Sequence, residues 1–186
     1  LSWVELLAIG IVAIVVIAFV LILVYYYNRI RVLSNQIEEA WAQIDVQLKK
    51  RFDLVPNLVE TVKGYAKHER EIFEKVMASR ERMVGGGSRE EQIKASNELT
   101  AALRSVFAIA ENYPDLKASE NFKLLQEQLE GIENKIAYAR QYYNGTVLQY
   151  NNVITTIPGS WFAGGRQKHG FLEIPDEERK PVKVAF

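Results

Sequence analysis

The sequence has no cysteine. Disulfides, thiolate nucleophiles and cysteine-ligated metals are therefore excluded, and the usual redox clue to compartment is missing. Histidine is scarce: His68 and His169 are the 2 present in 186 residues, too few for a conventional zinc site or a serine-histidine dyad. Net charge is absent, since 23 Lys and Arg match 23 Asp and Glu, so no bulk field draws in nucleic acid or an acidic substrate. Proline and glycine are missing between Gly10 and Pro56, so nothing there compels a helix to stop.

What the chain does have is a run from Leu6 to Val24 made only of Leu, Ile, Val, Ala, Phe and Gly10. Roughly 19 residues at about 1.5 Å each reach across a hydrocarbon core of about 30 Å. A cleavable secretory signal would have a shorter core, basic residues before it and small residues after it. Here Glu5 precedes the run and Tyr25, Tyr26, Tyr27, Asn28 and Arg29 follow, so the segment reads as a retained anchor. Trp3 on one side and Tyr25, Tyr26 and Tyr27 on the other sit where amphipathic rings mark the two membrane interfaces. Arg29 and Arg31 lie just after the run and no Lys or Arg precedes it, which places the N-terminus outside and the C-terminal part in the cytoplasm.

About 160 residues follow the anchor, enough for one domain with a real core. Leu33, Ile37, Ala40, Ile44 and Leu48 step by three or four, predicting a helix that continues from the membrane, with Trp41 at its edge. A change of direction is expected at Lys50 to Pro56, with Asp53 capping a second helix that turns Val55, Leu58, Val62, Tyr65, Ile72 and Val76 inward. Gly85, Gly86 and Gly87 end it, and Ser88 with Glu91 restarts a third as a capping box. That helix carries Leu99, Leu103, Val106, Ala110 and Tyr113 before Pro114. A fourth holds a coiled-coil-like seam of Leu125, Leu129, Ile132, Ile136, Ala139, Tyr143, Val147, Tyr150 and Ile154. After Pro158 periodicity is lost; Asp176 to Lys180 reads as solvated, whereas Trp161, Phe162, Phe171 and Phe186 do not.

The expected fold is all-α: a flank at 1–5, a transmembrane helix at 6–27, an antiparallel four-helix bundle at 28–157 and an irregular tail at 158–186. Antiparallel neighbours put the turns at Lys49 to Asp53 and Pro114 to Ser119 far from the bilayer and those at Gly85 to Gly87 and Pro158 to Phe162 near it. Trp161 and Phe162 then either touch the headgroups or plug the open end of the bundle, partly buried in both cases. Lys49, Lys50, Arg51, Asp53, Asn57, Asp115 and Lys117 would crowd one distal corner, either as a hydrogen-bonded structural corner or as a docking surface for a partner protein. A di-metal centre of the bundle type needs Glu-x-x-His pairs, but Tyr65 and Arg166 stand three residues before the two histidines. Three consecutive basic residues at Lys49, Lys50 and Arg51 are more often a solvated helix end than a nucleic-acid site.

The stretch from Asn35 through Trp41, Asp53-Leu54-Val55-Pro56-Asn57 and Gly64-Tyr65 to Glu69 resembles the central signature of the bacterial LemA family. The blocks Glu111 to Phe122 and Ile132 to Asn144 resemble the same family. The resemblance implies a single-pass protein of the bacterial cell membrane with a cytoplasmic helical bundle and no established enzymatic activity. Some members keep the company of a membrane-bound zinc metalloprotease, and a magnetosome-associated relative points to membrane shaping. The function expected is a non-enzymatic scaffold or adaptor that binds the bilayer, other membrane proteins and itself, with no cofactor, metal, nucleic acid or small-molecule substrate. A lateral membrane-shaping assembly is the rival class, and a metal-dependent enzyme the weakest.

Overall fold

Apolar and helix-favouring residues run without interruption from the hydrophobic stretch into the amphipathic one, and in the computed structural model they form one helix, α1 (Trp3–Lys63). The structure describes residues 2–84 and 87–173, without the side chain of Val84. Gly85, Gly86, the charged run Asp176 to Lys180 and Phe186 lie outside the described residues. After α1 come α2 (Arg70–Val84), α3 (Arg89–Ala110), the short α4 (Pro114–Ala118), α5 (Glu120–Thr155) and a 3-10 turn at Gly159–Phe162. No strand occurs among the described residues, so the chain is all-α.

The turn expected at Lys50 to Pro56 is not there: α1 passes through Pro56 and ends at Lys63. Proline removes one backbone donor, which leaves the carbonyl four residues earlier, that of Phe52, without its helical partner. Arg80 Nε of α2 donates to that carbonyl at 3.0 Å, and the Arg80 guanidinium lies 3.5 Å from the centre of the Phe52 ring. Asp53 is consequently not a cap but a mid-helix residue, paired with Lys49 at 2.5 Å. The reversal falls at residues 64–69 instead, and it resets the helical phase: Tyr65 is exposed, while Ala66 and Phe73 are buried.

Other expectations match. Ser88 and Glu91 form the capping box, with Ser88 Oγ accepting from the Glu91 amide at 3.2 Å and Glu91 Oε2 accepting from the Ser88 amide at 2.8 Å. Leu33, Ile37, Ala40, Ile44 and Leu48 are buried along α1, as are Leu99, Leu103, Val106 and Ala110 along α3. On α5 the seam from Leu129 to Ile154 is buried, with Ala139 half-buried within it and Leu125 half-buried before it.

The chain divides into two compact units. In the first, Leu1–Ala40 with Tyr142–Phe171, α1 and α5 lie side by side in opposite directions: Arg29 bonds Gln149 at 3.4 Å, and Tyr26 packs on Phe162 beyond the end of α5. Asn151 ties down the returning chain, donating to the His169 carbonyl and accepting from the His169 amide, each at 3.0 Å.

The second unit is Trp41–Gln141 with the segment beginning at Leu172. Lys63 over Phe73 and Arg80 at Phe52 make α1 and α2 antiparallel. Arg82 pairs with Glu98 at 2.7 Å between α2 and α3, and α3 meets α5 through Thr100 with Glu133 and Phe107 with Phe122. Successive long helices thus alternate in direction, as short connections require. Leu172 is buried here, whereas Phe171, expected to avoid solvent, is exposed.

Candidate docking and membrane-facing sites

The residues expected to share a distal corner do not form one. Lys49, Lys50, Asp53 and Asn57 are exposed along the C-terminal part of α1, while Asp115 and Lys117 lie on α4. Ala110, where α3 ends, stands fourteen residues beyond Ser96, which touches Arg51; that length of helix is roughly 20 Å. The missing turn at residue 50 explains the separation. Lys117 is occupied locally by an ion pair with Glu111.

Lys50 and Asp53 instead contribute to a groove of about 510 Å³ between α1 and α5, together with Leu54 from α1 and Glu127, Ile132 and Lys135 from α5. Each wall carries one cation and one anion around an apolar floor. A Cβ added at Gly131, which also lines the groove, would meet nothing within 4 Å. Glu127 and Lys135 carry no mark in the sequence, because their facing Lys50 depends on how α1 and α5 pair.

Arg51 is the clear correction to the docking set. Its side chain is 2% exposed, bonded to Glu133 and, at 3.0 Å, to Ser96 Oγ. Thr100 Oγ1 closes the cluster, donating to the Ser96 carbonyl at 3.0 Å and lying 3.3 Å from Glu133 Oε1. Burial pushes the Arg51 guanidinium below its ordinary range, the Glu133 carboxylate pulls it back up, and Arg140 and Arg104 nearby add to the downward push. A signal for this burial existed: Arg51 stands three residues after Leu48 and four before Val55, on the same stripe as the buried apolar residues. Its carboxylate partner, eighty-two residues away, had no local mark.

The aromatic residues expected at a membrane surface fall into two groups. Trp3 and Tyr25 are exposed on α1, which is the one helix among the described residues long and apolar enough to cross a membrane. Tyr26 is half-buried, stacked on Phe162 with ring centres 5.9 Å apart, and Phe162 also reaches Phe19 at 6.2 Å. Gly159 permits this approach: a Cβ there would stand 2.2 Å from the Val153 carbonyl oxygen and 3.2 Å from the Tyr26 ring. Trp161 departs from expectation, since it is 68% exposed rather than partly buried. The 3-10 turn has room to lay only Phe162 against α1 and leaves the neighbouring ring outside. Tyr27 is exposed, with the guanidinium of Arg31 5.6 Å and that of Arg166 5.9 Å from its ring centre.

His169 is held by Asn151 and packs edge-on to Tyr150 at 4.9 Å. Among the described residues no group of three or more His, Asp or Glu is placed to hold a metal ion.

An apolar helix long enough for a bilayer, continuing as an amphipathic helix that packs with α2, α3 and α5, defines this as an all-α protein with one candidate membrane-spanning helix. The chain belongs to the LemA family, whose model matches residues 40–186. It is also similar to the magnetosome protein MamQ of Magnetospirillum gryphiswaldense, 25% identical over 192 residues covering 89% of this chain and 70% of that protein. The magnetosome proteins MamQ 1 and MamQ 2 of Paramagnetospirillum magneticum are each 26% identical over 189 residues, covering 86% of this chain and 70% of theirs.

Proposed function

We propose that this protein is a membrane-anchored, non-enzymatic scaffold that binds other membrane proteins, and further copies of itself, through its bundle. The observation that carries this reading is the groove beside Lys50 and Asp53, on the same helix that carries the apolar run. Opposite charges on both walls and an apolar floor suit the amphipathic face of a partner helix, which gains affinity from apolar burial and register from charge. Arg29 and Arg31 after the span support an outside N-terminus and a cytoplasmic bundle in a bacterial membrane. The family resemblance supports a place near membrane-protein quality control, with a membrane-bound zinc metalloprotease as one partner to look for.

In-cell photocrosslinking from probes at Lys50 and Lys135 tests this. A discrete partner should be captured, and Gly131→Leu, whose Cβ meets nothing within 4 Å, should abolish the capture while helicity is retained. Capture that is unaffected by Gly131→Leu would sink the groove as the docking site.

A second reading, lateral assembly that shapes the membrane, draws support from the likeness to magnetosome proteins and from Phe162 packed against Phe19 of the apolar run. It expects crosslinks mainly between copies, and deformation of vesicles at high protein density. A monomer in detergent that leaves vesicles unchanged would remove it.

A further inference from the structure

The returning chain brings charge as well as aromatic rings to the end of the apolar run. Phe162 lies against Phe19, five residues inside the run that ends at Val24, so the turn at 157–162 stands level with side chains meant for hydrocarbon. Ile157 and Trp161 on that turn are exposed, at 73% and 68%. Directly after it, Gly164 and Gly165 take the left-handed backbone conformation with φ of 58° and 74°, a region open to glycine at little cost. This double reversal folds Arg166 back, so that its Nη1 donates to the Ala163 carbonyl at 3.0 Å and its guanidinium reaches the Tyr27 ring. Arg31 comes to the same ring from α1, and its Nη2 is 3.3 Å from the Tyr27 hydroxyl.

Among the described residues, no carboxylate pairs with the cations at this end of the unit. The stretch 142–171 contains no Asp or Glu, and none of Arg29, Arg31, Arg166 or Lys168 makes an ion pair among the described residues. Glu38 and Glu39, the next acids along α1, follow Arg31 by seven and eight residues, which is about 10 Å or more of helix. The depth of these cations sets which anion they can meet. Arg31 follows Val24 by seven residues, about 10 Å along the axis, and the headgroup layer extends some 5–8 Å beyond the hydrocarbon on each side. A long arginine side chain reaching back toward the bilayer closes that difference.

We propose that this end of the first unit is a seat for anionic phospholipid. Ile157 and Trp161 bed in the interface, and Arg31 and Arg166, gathered at Tyr27, clasp the headgroup phosphate. The proposal rests on the reading of Leu6 to Val24 as a membrane anchor and adds a lipid preference to it. Arginine suits the task because its planar guanidinium matches phosphate oxygens in pairs.

The full chain, reconstituted in vesicles with and without phosphatidylglycerol, tests both parts. With Trp3→Phe and Trp41→Phe, Trp161 is the sole tryptophan, and lipids brominated high on the acyl chain should quench it. A companion in which Val15→Trp supplies the sole tryptophan, at the centre of the run, reports on the anchor through lipids brominated near the acyl terminus. Quenching at position 15 but not at Trp161 overturns the seat and leaves the anchor standing; no quenching at either overturns the anchor. Spin-labelled phosphatidylglycerol should be preferred over the phosphatidylcholine label, and the preference should fall about fivefold in each of Arg31→Gln and Arg166→Gln. Arg166→Lys should keep most of it, which separates loss of charge from damage to the turn. Equal lipid preference in wild type and both Gln variants overturns the proposal, as does loss of the preference to inorganic phosphate at constant ionic strength.

Discussion

Arg80 donates from Nε to the main-chain oxygen of Phe52, 3.0 Å away, which is the oxygen that Pro56 leaves without a helical partner. One side chain on α2 thereby repairs the defect that would otherwise break α1, and its stacking on the Phe52 ring at 3.5 Å holds it in place. The pairing predicts coupling between residues 56 and 80. Arg80→Met should destabilise the protein in detergent by about 1–3 kcal/mol, because a half-buried carbonyl loses its donor. In a Pro56→Ala background, where the helix supplies its own donor, the same change should cost distinctly less. Equal costs in the two backgrounds, measured by chemical unfolding, would refute the repair.

The buried pair of Arg51 and Glu133 predicts an asymmetry between breaking and replacing it. Glu133→Gln leaves a desolvated guanidinium without its counter-charge and should cost about 3 kcal/mol. Replacing both, Arg51→Met with Glu133→Leu, should recover most of that loss, since neither the ion nor its desolvation then remains. Thermal unfolding followed by circular dichroism distinguishes the outcomes; a double variant as unstable as Glu133→Gln would show that the cluster acts through more than charge.

Ile136 is fully buried in the α5 seam. Ile136→Asp should unfold the second unit, because a carboxylate forced into that position has no partner and costs several times the effect of an ordinary surface change. Helicity and melting close to wild type would mean that the seam does not face the core.

Gly159→Ala places a Cβ where the Val153 carbonyl already sits, so the 3-10 turn must shift away from Tyr26. Amide exchange should then accelerate across residues 157–169 with little change in α3, which belongs to the other unit. Uniform acceleration over the whole chain would contradict a local role for this glycine.

The legible parts of the molecule are those governed by neighbours in the chain. The apolar run, the all-α class, the capping box at Ser88 and the seam of α5 follow from residue type and spacing, because helix formation and amphipathic burial repeat every few residues. The docking set was half legible: the exposure of Lys50 and Asp53 follows from polarity, but their facing Glu127 and Lys135 does not. Tyr65 went astray for a related reason, since its orientation depended on where the helix ended.

Local pattern was enough for the apolar run, the helices and the positions their buried faces occupy; Arg51 is in register with the inward stripe, but its charge marks it, in the sequence alone, as a docking residue. Local pattern could not say that Arg80 would carry α1 through Pro56, that Glu133 would neutralise Arg51, or that Arg166 would come back to Tyr27. Each of those joins residues between twenty-eight and one hundred and thirty-nine positions apart. Contacts of that span are set by packing of whole helices, and no short-range preference of the chain encodes them.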